Sequence, residues 1–247
     1  MAPDTPPPSP GDLTLDLPRI LCLHGGGTNA RIFRAQCRVI QAHLISSFRL
    51  VFADAPFPSP PGPDVDSVYG EWGPFRSWLP APKKIDIGSI DASIAAACSA
   101  DDRAGATGRW VGLLGFSQGA GVAASLLLRQ QKKNQSQTEG DRKRCPDYRF
   151  AVLMAGRALS MPMDTGTDVA VDEPGLLQLP TIHVHGLRDP GIEMHRSLLH
   201  YCCQRSNTRL VEWDGDHRVP ITTKDVAAVV AEIEDVAFKW GALGKVL

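Results

Sequence analysis

Residues 19–23, 50–53, 110–114, 150–154, 181–185 and 209–213 form short, mostly continuous apolar runs, whereas a strand with one wet face would alternate apolar and polar positions. Runs of this kind have to be covered on both faces. Longer amphipathic stretches at 30–46, 87–99, 118–132, 191–203 and 223–240 lie between them and read as helices. The alternation predicts an α/β fold: a mostly parallel sheet of about six strands with helices on both faces. In such sheets the reactive residues gather where strands end. With 247 residues, 43% of them hydrophobic, the chain is long enough for one well-buried core. One domain is expected over 18–247, behind a loose, proline-rich arm at 1–17.

A formal net charge of −1 gives no electrostatic footprint for nucleic acid or an anionic membrane surface, so small-molecule partners are favoured. The N-terminus has neither a basic start nor an apolar core, and no apolar stretch is long enough to span a bilayer. A cytoplasmic location is the expectation. The six cysteines, Cys22, Cys37, Cys98, Cys145, Cys202 and Cys203, show no metal-ligand spacing and read as reduced thiols.

Within 110–120 the chain reads Gly115-Phe116-Ser117-Gln118-Gly119 between a strand-like run and a helix start. A serine on a strained strand-to-helix turn needs small neighbours, because the two backbones must pass close together. The same five residues also fit an ordinary turn in a glycine-rich chain, so context decides. A serine hydroxyl is a poor nucleophile at neutral pH without a base and an acid to orient that base. Asp189 lies in a turn just beyond the 181–185 run, and His217 in a loop beyond the last strand. Ser117, Asp189 and His217, in that order at successive strand ends, follow the chain order of α/β-hydrolases. His195 and His200 fall within a helix, where solvent-facing roles are common. His183 and His185 share one face of a strand, where a metal pair is conceivable but lacks a third ligand at a suitable offset. Core or loop-anchoring roles suit those two better. No metal or organic cofactor is expected.

The first strand runs into His24-Gly25-Gly26-Gly27-Thr28-Asn29. Free amides there, with the N–H of Gln118, suit the oxyanion of a tetrahedral intermediate. A phosphate loop is the rival reading, but neither G-x-x-x-x-G-K-[ST] nor G-x-G-x-x-G is present. Three segments break the strand–helix alternation. Residues 55–84 combine many prolines with Phe57, Tyr69, Trp72, Phe75 and Trp78, and read as a cap whose aromatics bind substrate; a packed surface loop is the alternative. Residues 132–144 are polar and basic and read as a solvated connection, while 157–179 form a long link that either lines a pocket or covers the sheet.

These residues carry a resemblance. The His24 to Phe33 loop, Asp54-Ala55-Pro56-Phe57, the Trp72 to Trp78 segment, Gly115 to Gly119, and the Asp189 and His217 loops together resemble the fungal FSH-type serine hydrolases of the α/β-hydrolase superfamily. The HGGGTNA loop is similar to that of a subgroup encoded beside fungal polyketide synthases. The resemblance implies Ser117 as nucleophile, Asp189 as acid and His217 as base. It further implies a hydrolase or thioesterase that releases or trims a polyketide, so the expected partners are an acyl ester or thioester and the carrier domain of a synthase. Many relatives have a bulky residue after His-Gly; here Gly26 stands there, leaving Gly26 and Gly27 both open as the second amide donor. A general carboxylesterase and a non-catalytic ligand-binding module on the same scaffold are the competing readings.

Overall fold

The computed structural model describes residues 12–80, 86–136, 146–158 and 177–243. The elements run β1 (Arg19–Leu23), α1 (Ala30–Gln36), α2 (Arg38–Leu44), β2 (Arg49–Ala53), β3 (Phe57–Pro58), α3 (Val65–Tyr69), β4 (Arg76–Ser77), α4 (Ile87–Arg103), β5 (Trp110–Phe116), α5 (Gln118–Ser136), β6 (Phe150–Met154), β7 (Thr181–Gly186), α6 (Ile192–Cys202), β8 (Thr208–Trp213) and α7 (Thr223–Lys239). The six expected strands form one sheet in the order β2-β1-β5-β6-β7-β8, every neighbouring pair parallel. Strands β3 and β4 make a separate antiparallel pair inside the proline-rich segment.

Because successive side chains point to opposite faces, each strand feeds two cores. Ile20, Cys22, Val152 and Met154 pack with Phe33, Ile40 and Leu44 of α1 and α2 and with Val226, Val229 and Ile233 of α7. Leu21, Leu23, Ala151 and Leu153 pack on the other side with Ile90 and Ile94 of α4, Val122 and Leu127 of α5 and Leu198 of α6. Two details depart from expectation. The 30–46 helix is divided at Cys37, whose ψ of 7° leaves the helical range; Phe33, Cys37, Ile40 and Leu44 enter one core across the break. Strand β5 carries a register shift opposite Arg19 and Ile20, so Val111 and Leu114, three apart, enter the same core.

The expected loose arm is anchored where it is described. Thr107 and Gly108 donate their N–H groups to the Leu15 carbonyl at 2.7 and 3.3 Å. Arg49 bridges Asp12 at 2.7 Å and the buried Asp101 at 2.8 Å, and Asp101 also pairs with the buried Arg19 at 3.3 Å. Removing one partner from such a buried group strands its charge, at a cost of about 3–5 kcal/mol. Residues 1–11, 137–145 and 159–176, which hold most of the arm, much of the polar connection and most of the 157–179 link, lie outside the described residues.

Candidate active site

Strand β5 ends at Phe116, and α5 starts at Gln118. Ser117 between them has φ of +52°, a left-handed conformation that costs a non-glycine residue on the order of 1–3 kcal/mol. The surroundings fix it: Ser117 N–H donates to the Met154 carbonyl at 2.9 Å, and the Ser117 carbonyl accepts from Ala120 at 3.1 Å. The flanking glycines are sterically required. A Cβ on Gly115 would lie 2.4 Å from the Gly119 carbonyl oxygen, and one on Gly119 would lie 2.1 Å from that of Leu23. At Gly115 this is the strand-to-helix approach expected from sequence; at Gly119 the near backbone is instead the end of β1.

Asp189 lies just past the end of β7 and His217 in the loop after β8, and those two strands are neighbours in the sheet. The loops are stitched together, with Leu187 N–H on the Trp213 carbonyl at 2.9 Å and Arg188 N–H on the Gly215 carbonyl at 2.8 Å. As a result the three residues named from sequence meet. His217 Nε2 lies 2.9 Å from Ser117 Oγ, and His217 Nδ1 lies 2.6 Å from Asp189 Oδ2. Asp189 is buried, and its Oδ1 accepts the Gly191 N–H at 2.7 Å. Burial would raise its carboxyl, but the bonds from Gly191, His217 and His195 outweigh burial and hold it below the usual carboxylate range. An ionised Asp189 accepts from Nδ1–H, which leaves the Nε2 lone pair of His217 for the serine hydroxyl. The Phe116 ring packs 5.1 Å from the imidazole of His217.

His195 corrects the sequence reading. It is 2% exposed rather than solvent-facing, with Nε2 3.0 Å from Asp189 Oδ2 and Nδ1 3.0 Å from the Gly156 carbonyl. The signal was present in α6, where His195, Leu198 and Leu199 share the buried face. His200 is exposed, as expected. Asp189, His195 and His217 also place three metal-type ligand atoms within 4.8 Å of one another. Those atoms already bond one another, with Asp189 Oδ2 between two imidazoles.

The glycine-rich loop is held by the proline-rich segment. Gly27 N–H donates to the Arg76 carbonyl at 2.9 Å, and Arg76 N–H returns a bond to Thr28 at 2.7 Å. Of the two glycines left open from sequence, Gly27 therefore has its amide committed. Asn29 Nδ2 donates to the carbonyls of Trp72 and Pro74 at 2.7 and 3.1 Å. The Gln118 side chain, which sequence reasoning did not use, accepts from Trp78 N–H at 2.7 Å and Ser77 Oγ at 3.0 Å, tying the elbow to β4. Trp78 is the second correction. It is fully buried, and its indole N–H donates to the His24 carbonyl at 2.8 Å. The ring belongs to the core beside the loop and has no face left for substrate. Phe57 packs half-buried against that core. Tyr69 and Trp72 stack edge to face at 5.3 Å, Trp72 lies under Arg31 at 4.1 Å, and Phe75 is half-buried.

His24 braces the loop as a neutral ring: Nε2 accepts the Ala55 N–H at 2.9 Å, and Nδ1 donates to the Gly25 carbonyl at 2.7 Å. Burial pushes it from 6.5 down to about 4. His183 meets Thr181 Oγ1 at 3.2 Å, and burial pushes it down to about 3. Both are buried, and for His183 this is one of the two roles, core or loop-anchoring, expected from sequence. Below pH 6.5 the unfolded chain protonates these rings while the folded chain does not, so their stabilisation is complete above that pH and is lost as the pH falls towards 4. For His24 alone the loss is about 3 kcal/mol across the window. Urea unfolding at pH 4.5 is expected to show a markedly lower midpoint than at pH 7; equal midpoints would contradict the neutral, buried assignment.

A model of the family described as serine hydrolase (FSH1) matches residues 14–229. The chain is 66% identical over 241 residues to a protein of Aspergillus terreus named as a probable esterase, with 94% of each chain covered. It is 50% identical over 264 residues to esterase pigG of Monascus ruber, covering 95% of this chain and 97% of that one. Among solved structures, the Pyrococcus furiosus esterase Pf2001 superposes on 91% of this chain and 84% of its own, with a TM-score of 0.54 at 13% identity. That likeness bears on the fold alone, which is that of the α/β-hydrolases. Among the described residues, no helix is long and apolar enough to cross a membrane.

Proposed function

We propose that this chain, which belongs to the FSH1 serine hydrolase family, hydrolyses an acyl ester or thioester through an acyl-serine intermediate on Ser117. The observation that carries the reading is the continuous chain of contacts from Ser117 Oγ through His217 to Asp189, at 2.9 and 2.6 Å. His217 takes the serine proton as Ser117 attacks the carbonyl carbon, then hands it to the leaving oxygen or sulfur. Water, deprotonated by the same imidazole, attacks the acyl-serine and releases the acid. Asp189 holds the imidazole tautomer. The N–H groups of Gln118 and Gly26 receive the oxyanion, since Gly27 gives its amide to Arg76. Each such donor contributes about 3–4 kcal/mol to the transition state.

The acyl group is read as a polyketide, held by a carrier domain or already released, and the setting as cytoplasmic. Support comes from the resemblance of the HGGGTNA loop and from the esterase names of the relatives. Phe57, Tyr69, Trp72 and Phe75 remain the substrate-side candidates from the 55–84 cap; Trp78 is withdrawn. A fluorophosphonate probe tests the nucleophile: the purified enzyme should be labelled on the peptide bearing Ser117, and an unlabelled enzyme would refute the assignment. Parallel assays with a short nitrophenyl ester and an acyl thioester on a carrier domain test the substrate. Thioester turnover supports polyketide release, whereas turnover of the ester alone would leave a general carboxylesterase.

A further inference from the structure

Asp189 Oδ2 is contacted by two imidazoles, and the Ser117–His217–Asp189 reading uses only one of them. Resting on that reading, we propose that His195 is a positioning residue: it donates a hydrogen from each ring nitrogen, bridging Asp189 to the Gly156 carbonyl, and shares the carboxylate charge with His217.

The argument begins with donor and acceptor chemistry. A peptide carbonyl only accepts, and so does an ionised carboxylate. His195 Nδ1 faces the first at 3.0 Å, and Nε2 faces the second at 3.0 Å. A ring with one hydrogen would set a lone pair against an oxygen lone pair on one side or the other, inside a site where the residue is 2% exposed and water offers no relief. Hydrogens on both nitrogens satisfy both contacts. Asp189 supplies the counter-charge for the resulting imidazolium, and its Oδ1 is fixed by Gly191 N–H, so the carboxylate cannot rotate.

The placement has a consequence for catalysis. Gly156 follows β6, whose Met154 carbonyl holds the Ser117 N–H, so His195 ties the acid loop to the strand end that anchors the nucleophile. The rings of His195 and His217 are stacked, with centroids 5.8 Å apart. The groups around this pair are Asp189 from the turn after β7, His185 on β7 at 5.8 Å from His195, and Arg196 on its own helix. On the β6 side stands Arg157, whose guanidinium lies on Met194 Sδ at 3.9 Å. Beside His217, Asp216 is paired with Arg218.

Nitrogen-15 NMR of histidine-labelled wild-type enzyme tests the protonation directly. Both His195 nitrogens are expected to carry hydrogens, and a signal from one bare His195 nitrogen would overturn the proposal. The His195→Phe variant keeps the ring volume and removes both donors. Its kcat is expected to fall by about ten- to a hundredfold with little change in KM. His195→Gln, which keeps a donor towards Asp189, is expected to recover most of the loss. A loss that glutamine does not relieve would reduce His195 to packing. Fluorophosphonate labelling of wild type reports the nucleophile separately, so failure of the acyl-serine reading and failure of this inference are distinguishable.

Discussion

Ser117→Ala is expected to lower kcat by on the order of a millionfold, as loss of the nucleophile does in serine hydrolases generally, and to leave the fold intact. The substitution removes Oγ and its 2.9 Å contact with His217 and nothing else. Alanine keeps the Cβ, so the left-handed φ of +52° is neither relieved nor worsened. The backbone bonds to Met154 and from Ala120 persist. Stability is therefore expected to change by no more than about 1 kcal/mol, the net worth of one partly exposed hydrogen bond. Residual turnover above the uncatalysed reaction is expected from the oxyanion amides and substrate binding. Hydrolysis of a nitrophenyl ester by the purified variant checks the first claim and thermal unfolding the second. Turnover within tenfold of wild type would remove Ser117 from the reaction.

How much of this was visible in the chain depended on whether a feature is local. The elbow is local at Gly115, where an added Cβ would meet the Gly119 carbonyl and Ala120 of the same turn; at Gly119 it would meet Leu23 and His24 at the end of β1, so the motif marks that glycine but not the distant backbone that requires it. The six strands were legible because burial on both faces leaves a continuous apolar run. The break at Cys37 was not, because the apolar spacing of Phe33, Cys37, Ile40 and Leu44 is that of a continuous helix; nor was the bulge near Val111, since it serves packing against elements distant in sequence. Trp78 failed for a similar reason. Aromatic composition marks a segment as packed, but which way the ring points is set by the His24 carbonyl, 54 positions away in sequence. His195 was legible in part, because the spacing of His195, Leu198 and Leu199 marks a buried face. That this face meets Asp189 follows only from the turn that carries the chain from β7 into α6.

Asp189→Asn is expected to cost about 10⁴-fold in kcat with little change in KM, the signature of a wrong imidazole tautomer. The two carboxylate oxygens have different duties: Oδ1 accepts from Gly191 N–H at 2.7 Å, and Oδ2 accepts from His217 at 2.6 Å and faces His195 at 3.0 Å. An asparagine has to place its oxygen on one side and its NH₂ on the other. With the NH₂ towards Gly191, two donors would meet in a buried site, at about 1–3 kcal/mol. The oxygen therefore stays with Gly191 and the NH₂ faces His217. Nδ1 must then accept, its hydrogen moves to Nε2, and Nε2–H points at Ser117 Oγ as a donor, which can no longer take the serine proton. The same NH₂ meets His195 Nε2, so that ring also loses its acceptor. Because Ser117 and Asp189 act through one imidazole, the Ser117→Ala/Asp189→Asn double variant is expected to be no slower than Ser117→Ala alone. Multiplying losses in that cycle, or an Asp189→Asn enzyme within tenfold of wild type, would show that Asp189 does not set the tautomer of His217.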